Sequence, residues 1–145
     1  MAGKALIRLA VPDDAKQLFA LNEDFNGAGS TTTESIRASL AENRQEFVVV
    51  AETVGALAGF VCAQIKRSFC YRVPTAEITE VFVKQGFRRQ GLGRTMLTYA
   101  EQICRERYAV AEITLLTGMN NRAAQALYGA CGFRRSGEAH YEKEV

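Results

Sequence analysis

Apolar positions along this chain recur at two periods, and the changes between them mark the elements. Ala5-Leu6-Ile7-Arg8-Leu9-Ala10 predicts a first strand. Pro12-Asp13-Asp14 supplies a helix start, a proline followed by acids in the first turn. Ala15, Leu18, Phe19 and Leu21 then recur at helical steps. Phe25 to Ser30 is a loop by its Asn and Gly content, and Thr33-Glu34 opens a second helix carrying Ile36, Leu40 and Ala41. Glu46 to Ala51 and Ala56 to Ile65 are β-rich runs about a Val54-Gly55 turn, which predicts an antiparallel pair. Lys66 to Pro74 is irregular, and Ala76 to Val83 is the next strand.

From Leu92 the period becomes helical, with Leu92, Met96, Tyr99, Ala100 and Ile103 on one face of a helix reaching Arg107. Val110 to Leu116 alternates, with Ala111, Ile113 and Leu115 on one side and Glu112 and Thr114 on the other. Strand, helix, strand implies one parallel crossover. Gly118 to Asn121 is a turn that caps a helix from Arg122 to about Ala130, and Gly132 stops it. Phe133–Arg135 and Ala139–Val145 are expected as short final strands. The whole predicts a single α/β domain over residues 1–145, with a mostly antiparallel mixed sheet of about six or seven strands, one βαβ crossover and about four helices.

The candidate chemistry sits between the two periods. Arg88, Arg89, Gln90, Gly91, Leu92, Gly93, Arg94 and Thr95 join a strand to a helix N-terminus. Such an end carries unpaired N–H groups and partial positive charge, and glycine lets an anion come close. Two arginines add formal charge, so the stretch predicts a phosphate or pyrophosphate cradle. It is neither a Walker A loop nor Gly-x-Gly-x-x-Gly, because Met96 stands three residues after Gly93.

Composition narrows the classes. The chain has 145 residues and a formal net charge of +2, too little to argue for a nucleic-acid partner. Cys62, Cys70, Cys104 and Cys131 form no Cys-x-x-Cys pair, and His140 is the one histidine, so no metal site is expected. No apolar run approaches a membrane span, and Met1 to Lys4 does not open a signal peptide. A reducing cytoplasm and no membrane partner are the expectation.

Two separated motifs carry a resemblance. Arg88-Arg89-Gln90-Gly91-Leu92-Gly93 is similar to Arg/Gln-x-x-Gly-x-Gly/Ala, and Asn121 to Phe133 is similar to Asn-x-x-Ala-x-x-Leu-Tyr-x-x-x-Gly-Phe. Both are signatures of the GNAT superfamily of acyl-CoA-dependent N-acetyltransferases, and here they stand in its order and spacing. The resemblance covers nearly the whole chain. It implies acetyl-CoA as cosubstrate, with the pyrophosphate on the Arg89–Arg94 amides and the pantetheine arm along the main chain of Phe82 and Val83. It implies that this strand and the Val110–Leu116 strand diverge to open a wedge.

The acceptor amine must lose a proton before it attacks a thioester, and a carboxylate can take it. Glu77 and Glu80 are the candidates. They stand three apart, so they point to opposite faces unless a bulge intervenes, and the family has such a bulge. Glu80 is favoured. The resemblance makes Tyr128 the acid that protonates the leaving thiolate, and gives Asn121 to the cofactor or to the helix cap. Glu23, Asp24, Tyr71 and Glu77 are the expected acceptor contacts, with His140, Tyr141 and Glu142 from the C-terminus. Their acidic and aromatic character suits a small cationic amine. A protein or peptide amine is the alternative, followed by a non-catalytic acyl-CoA sensor. Homodimers are common in the family, so a homodimer is the analogous assembly.

Overall fold

The computed structural model describes residues 4–145. In chain order the elements are β1 (Leu6–Leu9), a short 3-10 turn (Pro12–Asp14), α1 (Ala15–Asn26), α2 (Thr33–Glu42), β2 (Glu46–Thr53), β3 (Ala56–Lys66), β4 (Thr75–Val83), α3 (Leu92–Tyr108), β5 (Ile113–Leu115) and α4 (Arg122–Ala130). The strands form one sheet in the order β1-β2-β3-β4-β5. Every neighbouring pair is antiparallel except β4 and β5, which α3 joins as a parallel crossover.

Strand alternation divides the core in two. Phe47, Val49 and Ala51 of β2 and Val61, Ala63 and Ile65 of β3 face α3, where they meet Met96, Leu97, Ala100, Ile103 and Cys104. Val48, Val50, Phe60 and Phe82 face the other way and pack on Leu18 and Leu21 of α1. Both faces of β2 and β3 are covered, so their sequences read as nearly continuous apolar runs rather than as alternation. Phe25, expected in the loop, belongs to α1. Its ring lies 5.2 Å from that of Phe82 and 6.1 Å from that of Phe60.

One irregularity in β4 decides which side chains share a face. Glu80 pairs with Cys62, but the next partner of β3, Ala63, pairs with Ile78. Thr79 is therefore an extra residue, a β-bulge. Below it Glu77 pairs with Gln64. The extra residue restores phase, so Glu77 and Glu80 lie on the same face, the one that α1 and α2 cover.

The final strands expected at Phe133–Arg135 and Ala139–Val145 are not formed; the chain there is irregular. Residues 134 to 145 are all exposed. A strand there would have no apolar face to bury, and Glu142, Lys143 and Glu144 keep the segment solvated. The strand expected over Val110–Leu116 is regular only over Ile113–Leu115. Among the described residues the sheet thus has five strands rather than six or seven.

A part-buried ion pair ties β1 to the start of α1. Arg8 Nη1 and Nη2 donate to Asp14 Oδ2 and Oδ1 at 2.8 and 2.9 Å, and Arg8 Nε donates to Glu52 at 2.9 Å. Asp14, 6% exposed, also accepts the Val11 N–H at 2.8 Å, which closes the turn. The Arg8 hydrogen bonds hold the Asp14 carboxyl below the usual carboxylate range. Folding then favours the ionised form, so this stabilisation is complete above the unfolded-state pKa and is lost as pH falls through the folded one. Replacing Asp14 by Asn should cost about 2–3 kcal/mol at neutral pH, because Arg8 keeps Glu52 but loses its two-pronged, more buried charge partner. The cost should shrink toward about pH 3 in urea melts of both proteins.

Candidate active site

The site is built around the edge of β4. Strands β4 and β5 pair over only three positions, Ala76–Ile78 against Ile113–Leu115, while β4 runs on to Val83. From Thr79 onward the β5 side of β4 has no strand partner among the described residues. This is a wedge. The Val83 carbonyl lies outside the β3–β4 ladder, where it accepts a 2.8 Å hydrogen bond from Arg88 Nε. The Phe82 carbonyl faces β3: a Cβ placed on Gly59 would come within 2.4 Å of it. So of the two residues expected to offer main-chain groups to pantetheine, Val83 presents its carbonyl there and Phe82 does not. The Arg88 guanidinium carbon also sits 5.8 Å from the centre of the Phe82 ring.

The loop that follows turns through left-handed backbone. Gly86 has φ 97°, Arg89 φ 64° and Gly91 φ 78°. Such a φ costs a side-chain-bearing residue about 1 kcal/mol or more, and Arg89 sustains it. Gly91 is the N-cap of α3, and no side chain caps the helix. The first intrahelical bond is Thr95 N–H to the Gly91 carbonyl at 3.0 Å, leaving the amides of Leu92, Gly93 and Arg94 without helical acceptors. The Thr95 hydroxyl turns back to the same carbonyl at 2.8 Å. Arg88, Arg89, Gln90 and Arg94 are exposed around this mouth. The two glycines do different work. Gly91 supplies the positive φ. A Cβ on Gly93 would stand 3.3 Å from Leu127 Cδ2 and 3.8 Å from Val83 Cγ2, so Gly93 lets α3 seat against α4 and β4. A pyrophosphate fits such a mouth: three free amides, a helix N-terminus and flanking guanidinium groups.

On α4, Asn121 is the N-cap: its Oδ1 accepts the Ala124 N–H at 3.1 Å. Tyr128 is half-buried on the α3 side of the sheet, with Leu127 and Cys131. Its ring meets Phe133 edge-on at 6.1 Å. Burial pushes the Tyr128 hydroxyl up, and Cys131 adds to this, so the phenol holds its proton at neutral pH.

On the opposite face a cavity of about 320 Å³ lies between α1, α2 and the sheet. Leu18, Ile36, Leu40, Val48 and Phe60 give it apolar walls, and Asn22, Asn26, Ser35 and Ser39 a polar, uncharged rim. The rim is organised, with Asn22 donating to Ser30 at 3.0 Å and Asn26 to Asn22 at 2.7 Å. Three groups close the floor: Glu46, Cys62 and Glu80, whose ligand atoms all lie within 4.8 Å of one another. Burial, then the charges of Glu46 and Glu80, push the Cys62 thiol well up. It stays neutral, which argues against its acting as an acyl-accepting nucleophile.

Several expected contacts lie elsewhere. Glu77 shares the face of Glu80 but does not line the cavity; it pairs with Lys66 Nζ at 2.5 Å. Glu23 and Asp24 sit on α1 outside the lining, while their neighbours Asn22 and Asn26 are in it. Tyr71 is 74% exposed in the loop before β4, and His140, Tyr141 and Glu142 are exposed. Glu46 was not legible as a site residue. Its one local signal is a lone acid opening an apolar strand, and only strand register brings it to Glu80.

The chain matches the model of the Acetyltransferase (GNAT) family over residues 4–133. It belongs to the GNAT acetyltransferase family. A Bacillus subtilis (strain 168) protein that carries the provisional name ribosomal protein bS18-alanine N-acetyltransferase is 28% identical over 137 residues, 94% of this chain and 85% of that one. Among solved structures, an aminoglycoside acetyltransferase from an uncultured soil metagenomic sample, in complex with trehalose, is 19% identical. It aligns over 97% of this chain and 96% of its own with a TM-score of 0.85. AAC(6')-Iy with the bisubstrate analogue CoA-S-monomethyl-acetylneamine is 16% identical over 99% of both chains, with a TM-score of 0.86. At such identities the structural likeness shows a shared fold. The chain is thus a GNAT acetyltransferase, and family members use acetyl-CoA or CoA. Among the described residues, no helix is long and apolar enough to cross a membrane.

The left-handed N-cap gives a direct test. Gly91→Ala meets no neighbouring atom within 4 Å, so its cost is conformational. It should lower stability by about 1 kcal/mol in urea melts and weaken CoA binding roughly tenfold by calorimetry, because the α3 mouth is re-aimed.

Proposed function

We propose that this acetyltransferase moves an acetyl group from acetyl-CoA to the primary amine of a small cationic molecule, by direct attack. The observation that carries the proposal is that one strand borders both half-sites. The outer edge of β4 opens the wedge that ends at the α3 mouth, and one residue of its α1–α2 face, Glu80, reaches the floor of the cavity. Donor and acceptor can then meet across β4.

In this reading the amides of Leu92 to Arg94, with Arg88 and Arg89, hold the pyrophosphate. Pantetheine takes the Val83 carbonyl in place of Arg88 Nε, so Arg88 is released as the cosubstrate enters. Glu80 removes a proton from the acceptor ammonium and passes it to solvent, and the freed lone pair forms the N–C bond. The added nitrogen then gives up its second proton by the same route. One of the two protons is matched by the one that later restores the Tyr128 phenol, and the other is released. As the C–S bond breaks, Tyr128 gives its hydroxyl proton to the departing thiolate; its upward shift keeps that proton available. Asn121 caps α4 and so sets the height of Tyr128. Glu77 is the weaker candidate for the base, because Lys66 already neutralises it.

The cavity favours a small acceptor: it is closed by helices on one side and acidic at its floor. The aminoglycoside enzymes among the structural relatives agree with a small cationic amine. A protein amine is the second reading, favoured by the name of the Bacillus relative.

A panel of amines assayed for CoA release tests the class, with 1,4-diaminobutane, an aminoglycoside and an alanine-starting peptide as first members. Acetyl-CoA should raise the melting temperature, because it binds only the folded state; no shift at saturation removes the cradle. Tyr128→Phe should lower kcat about 100-fold with little change in acetyl-CoA affinity, and an unchanged rate removes the acid role. Glu80→Gln should also lower kcat about 100-fold, most severely at low pH, where more of the amine is protonated. A raised KM at unchanged kcat would make Glu80 a binding group only.

A further inference from the structure

Glu46 lies in the same cavity and has no part in the steps above. It opens β2 opposite Gln64 of β3, whose Nε2 donates to Glu46 Oε2 at 3.0 Å. On the far side of β3, Glu80 Oε2 accepts the Thr79 hydroxyl. The two carboxylates converge over Cys62, with an oxygen of each and the sulfur within 4.8 Å of one another. Among the described residues, no basic side chain lines the cavity. The ion pairs found among the described residues join Arg8 to Asp14 and Glu52, Lys66 to Glu77, and Arg105 to Glu101; none reaches Glu46 or Glu80. The Glu46 carboxyl is pushed up, first by burial and then by the charge of Glu80.

Two acids in a half-enclosed space, unanswered by any cation of the described residues, are answered by a cation that enters. The walls agree. Leu18, Ile36 and Phe60 suit an aliphatic body, and Asn22, Ser35 and Ser39 offer neutral hydrogen-bond partners. The spacing agrees as well. Oxygens no more than 4.8 Å apart can both reach one ammonium, which needs about 2.8 Å to each.

Resting on the assignment of this cavity to the acceptor, we propose that Glu46 is a specificity-determining residue that shares the acceptor's ammonium with Glu80, so that the enzyme selects cationic aliphatic amines over neutral nucleophiles of similar size. The roles divide by strand. Glu80 stands on β4, which borders the wedge, and takes the proton. Glu46 stands two strands away on β2 and recruits and orients the charge.

The test compares wild type, Glu46→Gln and Glu46→Asp, each checked for a normal thermal melt. The substrates are 1,4-diaminobutane or the best cationic amine of the panel, and O-methylhydroxylamine, which is neutral at about pH 8. Glu46→Gln should raise KM for the cationic amine about tenfold or more and weaken its binding by calorimetry to the CoA-saturated protein equally. Its kcat and its KM for acetyl-CoA should stay within about threefold, and the neutral nucleophile should be unaffected. Glu46→Asp should restore part of the cationic preference. An unchanged KM for the cationic amine, or an equal loss toward both nucleophiles, overturns the proposal while the acetyltransferase reading stands. A wild type that is stabilised by acetyl-CoA but neither binds nor acetylates a cationic amine overturns the acceptor assignment and this proposal with it.

Discussion

The unmatched Thr79 in β4 is the constraint on which the floor of the cavity depends. In an unbroken strand, residues three apart point to opposite faces. With one extra residue between Ile78 and Glu80, the phase is reset, and Glu77 and Glu80 look the same way. Were Thr79 instead paired with Cys62, with the lower half of β4 held in register, Glu80 would stand opposite Val61 and turn toward α3, away from the cavity. The bulge also sits where pairing with β5 stops, since the last parallel pair is Ile78 with Leu115. A bulge bends its strand and increases local twist, which helps β4 leave β5 at this point. One extra residue thus coincides with both the wedge and the acidic floor.

The other end of β4 feeds a turn that runs through left-handed backbone and is tied back to β4 by Arg88. Gly91 caps α3 in left-handed geometry, and Arg89 accepts the same region without glycine's freedom. A protein sustains such strain where surrounding contacts over-determine it. Here Gly93 packs beneath Leu127 and Val83, locking the first turn of α3 to its neighbours. The three free amides are held open by a helix that cannot shift without disturbing the α3 side of the core. Met96, Leu97 and Ala100, one turn further on, are buried in that core.

The two faces of the sheet differ in chemistry because they differ in covering. The long α3 buries its face almost entirely with apolar side chains. On the other face α1 is well seated through Leu18 and Leu21, whereas α2 has no fully buried residue. The gap left between α1, α2 and the sheet, from Glu46 and Val48 through Phe60 and Cys62 to Glu80, is the cavity, and polar groups survive there because they need not be matched by packing. The Arg8–Asp14 pair serves this arrangement indirectly. It fixes where α1 begins, and therefore where Leu18, Asn22 and Asn26 stand over the sheet.

The order of elements, the crossover and the α3 mouth were legible in the sequence because each rests on local rules. Period-2 and period-3.6 patterns announce strands and helices, and the turn ending in Asn121 announces a cap. The Arg88–Gly93 and Asn121–Phe133 motifs are contiguous, so their resemblance to the family could be read directly. What resisted reading was everything that depends on neighbours across the sheet. The final strands failed because Arg134 to Val145 find no face to bury, which no local propensity reveals. Glu23, Asp24 and Tyr71 were placed by their charge or ring, but α1 turns Asn22 and Asn26 into the cavity instead. Glu46 and Glu80 are 34 positions apart (80 − 46) and meet only through the register of β2, β3 and β4. The sequence by itself determined the α3 mouth, since a helix N-terminus is a property of consecutive residues. The acidic floor of the cavity was decided by tertiary structure, since it is made of single side chains from three strands brought into phase by one bulge.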